Sequence, residues 1–219
     1  MRLAVRLSLH ILAVALGLSV PVHAQNYDDD LKVYGVSVIN LAPFFPFRMY
    51  GVFLGDGAVL TAAHVVGHWP LFTTPRIIIA GQELSAKVIK KGSFPEMDLA
   101  LLSVDEASLP ISLRLRRNPL CKAPPNIGAN VVVVYPERTV RSQMISSMLI
   151  APMQRKKLNT LIKDVQDSGS GAFDVERKCL LGIMSASVPI YSYQGQNKRG
   201  GYFVPASRIA DFIPAEYRF

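Results

Sequence analysis

Three short segments hold side chains that could do nucleophilic chemistry together. In Thr61-Ala62-Ala63-His64, a strand-like run that begins at Gly51 ends on an imidazole. The small residues before it let the backbone pack closely and fix the ring of a potential general base. In Met97-Asp98-Leu99 a carboxylate opens an apolar run that continues through Leu102. Burying a carboxylate is costly unless a donor compensates it, and an imidazole N–H is such a donor. In Gln166-Asp167-Ser168-Gly169-Ser170-Gly171 a glycine- and serine-rich turn feeds the strand-like Ala172-Phe173-Asp174. A turn of this kind can present a hydroxyl and aim backbone N–H groups at one point, as stabilising an oxyanion requires. Each segment alone has a plainer reading: a packed histidine, an exposed acid at a strand start, a polar loop.

Other chemistries fit the sequence less well. His68 follows His64 by four residues, which on a helix would put both on one face. The stretch lacks the glutamate of a zinc protease and has no evident third ligand, so no metal and no cofactor is expected. The formal net charge is +8, but the basic residues are scattered apart from Arg114, Arg116, Arg117 and Arg155, Lys156, Lys157. Clusters this short belong on solvated loops, so nucleic acid is not an expected partner.

The N-terminus reads as an export signal. Arg2 and Arg6 precede an apolar stretch over residues 7–18, and Val22-His23-Ala24 offers small residues at the two positions a signal peptidase reads. Residues 1–24 are therefore expected to be a cleaved signal peptide. The stretch is too short to span a bilayer comfortably, and no later segment resembles a membrane span. Cleavage removes two arginines, leaving a charge of +6, and two of the four histidines, leaving His64 and His68. Both cysteines, Cys121 and Cys179, remain. An oxidising compartment favours a disulfide between them, with two buried free thiols as the alternative.

The elements that must position these residues are short strands. At 219 residues the chain holds one large domain or two small ones, and with 50% apolar residues it can pack a core. Strands are expected near 34–40, 49–54, 58–61, 76–80, 84–90 and 100–104. After a proline-rich connection, more follow near 130–135, 138–150, 172–175, 180–185 and 202–204. Residues 25–30 are polar and read as a loose leader. Helical periodicity is confined to 205–213, where Ile209, Phe212 and Ile213 recur. Two clusters of short strands suggest two barrels or a sandwich.

In this order and context, the three segments resemble the trypsin-like (chymotrypsin-like) serine peptidases, whose patterns are T-A-A-H, D-[IL]-A-L-L and G-D-S-G-[GS]. The resemblance runs over roughly residues 36–213. Gly201-Tyr202-Phe203-Val204-Pro205 is similar to the G-[FY]-A-[IV]-P segment of bacterial HtrA proteases, and no PDZ domain is expected after it. The implied fold is all-β: two six-stranded antiparallel barrels with a short C-terminal helix. Residues 25–112 would carry His64 and Asp98, and residues 113–219 would carry Ser168. The implied activity is hydrolysis of polypeptides by an exported, periplasmic or secreted, serine endopeptidase. Ser168 would be the nucleophile, His64 the base and Asp98 the orienting carboxylate, with the backbone N–H groups of Ser168 and Gln166 as the oxyanion hole.

The same resemblance places a specificity pocket with Ile162 at its floor and Ser187 and Gly201 on its walls, while the strand through Ser185 pairs with substrate. No acid lies at the floor, so an apolar or medium-sized side chain is expected there rather than Lys or Arg. Relatives bridge places comparable to Cys121 and Cys179. Ser168, not Ser170, fits the D-S-G-S core, because the Ser170 register would put Gly169 where the acid belongs. Two departures stand out. Gln166 replaces a usual glycine, and a glutamine would be strained if the position needs a positive φ. Asp167, which in zymogen-type relatives pairs with a new N-terminal amine, has no clear activation site near Tyr34 to supply one. Another cation must serve, or no activation occurs.

Overall fold

The computed structural model describes residues 27–40, 47–67, 74–94, 96–191 and 198–218. The expected signal peptide and His68 lie outside the described residues. Residues 27–31 are not a loose leader: Tyr27–Leu31 is a helical turn, α1. Asp28 is buried and receives a bond from Arg141 Nε at 2.5 Å, which ties α1 to the body of the protein.

Seven strands form the first sheet: β1 (Gly35–Asn40), β2 (Phe47–Gly55), β3 (Ala58–Thr61), β4 (Arg76–Ile79), β5 (Gln82–Ser85), β6 (Lys87–Lys91) and β7 (Ala100–Ser103). Their order is β5-β4-β1-β2-β3-β7-β6. The expected strand at 84–90 is split by the fully buried Ala86, whose N–H leaves the ladder for the Pro75 carbonyl. One half pairs with β4 and the other with β7, at opposite edges of the sheet. The sheet therefore curls until its two edges meet at Ala86. This is how a nominal six-stranded barrel becomes a seven-stranded curled sheet rather than a closed cylinder.

A connection holding α2 (Ile111–Arg114) leads to the second half. There β8 (Asn130–Val134), β9 (Thr139–Ile145), β10 (Leu161–Lys163), β11 (Gly171–Asp174), β12 (Cys179–Ile190) and β13 (Lys198–Pro205) close into a barrel ordered β10-β13-β12-β11-β8-β9. A helical turn, α3 (Pro152–Arg155), precedes β10, and α4 (Ala206–Phe212) follows β13 where the sequence places a helix. The pairs are antiparallel, and Val131 to Val134 are all fully buried because Val131 and Val133 pack in one apolar cluster and Val132 and Val134, on the opposite face of β8, in another.

The two halves share one apolar cluster. Val52, Leu60, Leu99 and Leu101 from the first sheet pack with Val132, Phe173, Ile183 and Ile209 from the second half. Each half also has one further cluster of its own. Cys121 and Cys179 form a disulfide with Cα atoms 5.1 Å apart, fixing the approach to β8 to the start of β12. Among the described residues, no helix is long and apolar enough to cross a membrane.

Candidate active site

The residues singled out in the sequence meet at the seam between the two halves. His64 lies in the short helical turn Ala63–Val66 just beyond β3, and Asp98 lies two residues before β7, the neighbour of β3 in the sheet. The Asp98 carboxylate accepts twice from His64: Oδ1 from the backbone N–H at 3.0 Å and Oδ2 from ring Nδ1 at 2.8 Å. A carboxylate only accepts, so Nδ1 carries the proton in this bond and the Nε2 lone pair is left outward. The Asp98 side chain is 3% exposed, whereas His64 is 31% exposed. Burial by itself would raise the Asp98 pKa. The bonds from His64 and Ser185 and the charge of His64 outweigh it and hold the carboxyl below its usual value.

Ser185 links this pair to the second barrel. The register of β12 against β13 slips between Met184 and Ala186, which leaves Ser185 as the extra residue of a bulge. A bulge re-aims one side chain, and here the Ser185 hydroxyl donates to Asp98 Oδ2 at 2.5 Å. Its carbonyl accepts from the Ser168 hydroxyl at 3.2 Å. The proton of Ser168 thus points to Ser185 rather than to the imidazole in this rotamer. The sequence pointed to Ser185 only as part of a strand facing substrate. Nothing in the sequence marks the bulge that turns it toward Asp98.

The turn that carries Ser168 is docked against the first sheet. Gly169 has φ 86°. A Cβ there would overlap the Tyr50 carbonyl and the Thr61 hydroxyl, so β2 and β3 press directly on this residue. The Thr61 hydroxyl itself donates to the Tyr50 carbonyl at 2.6 Å. The turn is also clamped to β12, by Gly169 N–H to the Met184 carbonyl and Met184 N–H to the Ser170 carbonyl. Ser168 is buried, and the neighbouring Ser170 hydroxyl is spent on the Asp167 carbonyl at 2.7 Å.

Gln166 keeps a negative φ and carries no strain. The left-handed residue lies two places earlier, at Asp164 with φ 55°. Among the described residues, the backbone N–H groups of Gln166 and Ser168 have no hydrogen-bond acceptor. Asp167 does find a cation, Arg138, at 3.5 Å. Arg138 also lies over the Tyr135 ring, 4.2 Å from its centroid. Burial first, then the charge of Asp167, raises the Tyr135 pKa.

The expected pocket residues are adjacent but not open. Register places Ile162 opposite Gly201 and Gly201 opposite Ser187, in one row across β10, β13 and β12. Ile162 is fully buried rather than exposed at a pocket floor. A methyl group at Gly201 would overlap the Val165 carbonyl and Met184 Cε. Ser187 is held by Arg199, which donates to its hydroxyl at 2.6 Å and to its carbonyl at 3.0 Å.

Two halves, one a closed barrel, with the site at their seam, define the architecture. The chain has the chymotrypsin-like fold of serine protease domains. Solved structures share this fold at low identity. A protease from M. tuberculosis, Rv3671c in its active form, superposes with a TM-score of 0.59 at 20% identity, over 84% of this chain and 81% of that one. The MamO protease domain of Magnetospirillum magneticum gives 0.58 at 19% identity, over 84% and 97%. An inactivated protease paralogue of the scabies mite gives 0.58 at 18%, over 85% and 96%. No family model and no curated protein sequence matches the chain. Chymotrypsin-like folds therefore surround it in structure, while its sequence stands well apart from theirs.

Proposed function

We propose that the chain is an exported serine endopeptidase that hydrolyses polypeptides through His64, Asp98 and Ser168 and an acyl-enzyme intermediate. The observation that carries this reading is the continuous hydrogen-bonded path from the His64 ring through Asp98 and Ser185 to Ser168. In the proposed cycle, Ser168 turns its hydroxyl from the Ser185 carbonyl toward His64 Nε2, which takes the proton as the oxygen attacks a substrate carbonyl. His64 then returns that proton to the leaving amine, and water repeats the two steps to free the acid. Asp98, ionised because its donors hold its pKa down, fixes the ring tautomer and steadies the imidazolium. The N–H groups of Gln166 and Ser168, which have no acceptor among the described residues, are the candidate oxyanion donors, each worth roughly 10²–10³ in rate at such sites. The disulfide and the charged, hydrophobic-core N-terminal stretch favour export to an oxidising compartment.

A second reading is a protease-like binding module without catalysis, and the Ser168 rotamer favours it because its hydroxyl is turned from the base. A fluorophosphonate probe separates the two. The peptidase reading expects labelling of the native protein, loss of it in Ser168→Ala and His64→Ala, and hydrolysis of casein or peptides by the native protein alone. A native protein that takes no label and cleaves nothing establishes the binding module instead.

A further inference from the structure

We infer that Arg208 is a positioning residue for the proposed triad: from the second half of the molecule it holds the loop that carries Asp98. The inference deepens the peptidase reading and rests on it for the role of Asp98.

Asp98 belongs to neither of the strands that flank it. It lies in the loop of residues 92–99, between the end of β6 at Lys91 and the start of β7 at Ala100. Gly92 N–H closes the base of the loop on the Leu99 carbonyl at 2.8 Å. The tip is a turn in which the Glu96 and Met97 N–H groups both donate to the Ser93 carbonyl. A Cβ at Gly92 would overlap the Met97 carbonyl, so the loop is folded tightly on itself. These bonds are internal. They set the shape of the loop, but not where it stands relative to the half that carries Ser168.

Arg208 supplies that reference. Its Nη2 donates to the Glu96 carbonyl, two residues before Asp98, across the seam between the halves. Arg208 belongs to α4, whose Ile209 is fully buried in the apolar cluster that also holds Leu99 and Leu101. A guanidinium is always charged and its fork is rigid, so its bond to a carbonyl fixes direction as well as distance. The second half therefore holds Asp98 at two points. The Ser185 hydroxyl bonds the carboxylate itself, and Arg208 fixes the backbone that carries it. Freed at Glu96, the loop can swing, and both carboxylate oxygens then shift from the N–H and Nδ1 of His64.

The same helix has a second tie that serves as a control. Lys90 Nζ donates to the Phe212 carbonyl at 2.6 Å and lies over the Phe212 ring, 4.8 Å from its centroid. Lys90 is in β6, ahead of the loop, so this bond fastens α4 to the sheet edge without touching the Asp98 loop.

The test compares native protein with Arg208→Gln, Arg208→Lys and Lys90→Met. The measurements are kcat and KM on a fluorogenic casein, the melting temperature, and the downfield proton NMR signal of His64 Nδ1–H bonded to Asp98. Arg208→Gln should lower kcat about ten- to a hundredfold with KM near native, as a displacement of about 1 Å in a catalytic group does. It should also shift or broaden the His64 signal. Arg208→Lys should recover most of both, because an ammonium still donates to the carbonyl. Lys90→Met should lower the melting temperature yet leave kcat and the signal native. Native kcat and signal in Arg208→Gln overturn the inference. So does failure of Arg208→Gln to fold, or an equal loss of both in Lys90→Met, since either makes α4 merely structural. A His64 signal that responds to Arg208→Gln in a native protein that neither cleaves casein nor takes a fluorophosphonate label would sink the peptidase reading and leave the Arg208 tie standing.

Discussion

Ser185 has two bonds of opposite kind, and through them it joins the two halves of the site. Its hydroxyl is one of the donors that keep a nearly inaccessible Asp98 ionised, and its carbonyl holds the Ser168 hydroxyl. Beside it, Gly169 is the residue at which the turn touches the first sheet. It combines a left-handed φ with a position where any side chain meets backbone atoms of Tyr50. Relief would require the nucleophile turn to move away from β2 and β3. Gly169→Ala is expected to cost about 2–5 kcal/mol of stability from the unfavourable φ and the overlap together. Whatever protein folds should take fluorophosphonate much more slowly than native. Urea denaturation and labelling rates check both effects, and a variant as stable and reactive as native would refute the docking.

At the scale of elements, the β8–β9 hairpin answers a question that the sequence leaves open. Arg138, in the hairpin turn, supplies a cation to Asp167. Arg138 and Asp167 are each about half exposed, so their ion pair is worth little to stability, of order 0–1 kcal/mol. Its effect is expected on geometry, because Asp167 lies between the two candidate oxyanion donors. Arg138→Gln should therefore lower kcat roughly tenfold or more with little change in KM or melting temperature, and Arg138→Lys should restore most of it. Loss of stability in step with activity would mean that the hairpin is merely structural.

For the molecule as a whole, two features set the conditions under which it persists. The disulfide closes a loop across 58 positions, worth about 4 kcal/mol in the chain-entropy model. Replacing both cysteines with Ala should lower stability by up to that amount, measured by urea denaturation, while native protein without reductant stays unchanged. Asp174 at the end of β11 is buried, which alone would raise its pKa, but backbone and side-chain bonds from Arg177 bring it below the usual value. Asp98 shifts in the same direction. A carboxyl depressed in the folded state leaves the unfolded chain to bind protons first. The stability it contributes is full above about pH 4 and is lost as the pH falls below that. Asp174→Asn should flatten the fall of melting temperature with pH in the acid range, and an unchanged slope would exclude Asp174 from the acid response.

The sequence by itself determined the strand pattern, the C-terminal helix and the three segments that meet at the seam. Short apolar runs and glycine turns are local signals, and Thr61 to His64, Asp98 and the Ser168 turn each have a local signature. It also pointed to a single disulfide, because only two cysteines exist. What only the tertiary structure decided involves residues whose local sequence is ordinary. Ala86 divides a strand because two sheet edges must both use it. Ser185 turns to Asp98 because a register slip across β12 and β13 frees it. Arg138 reaches Asp167, and Val165 covers Gly201, because a closed barrel brings separated strands side by side. Such contacts arise from register and closure, which depend on every strand at once and leave no mark at any one position.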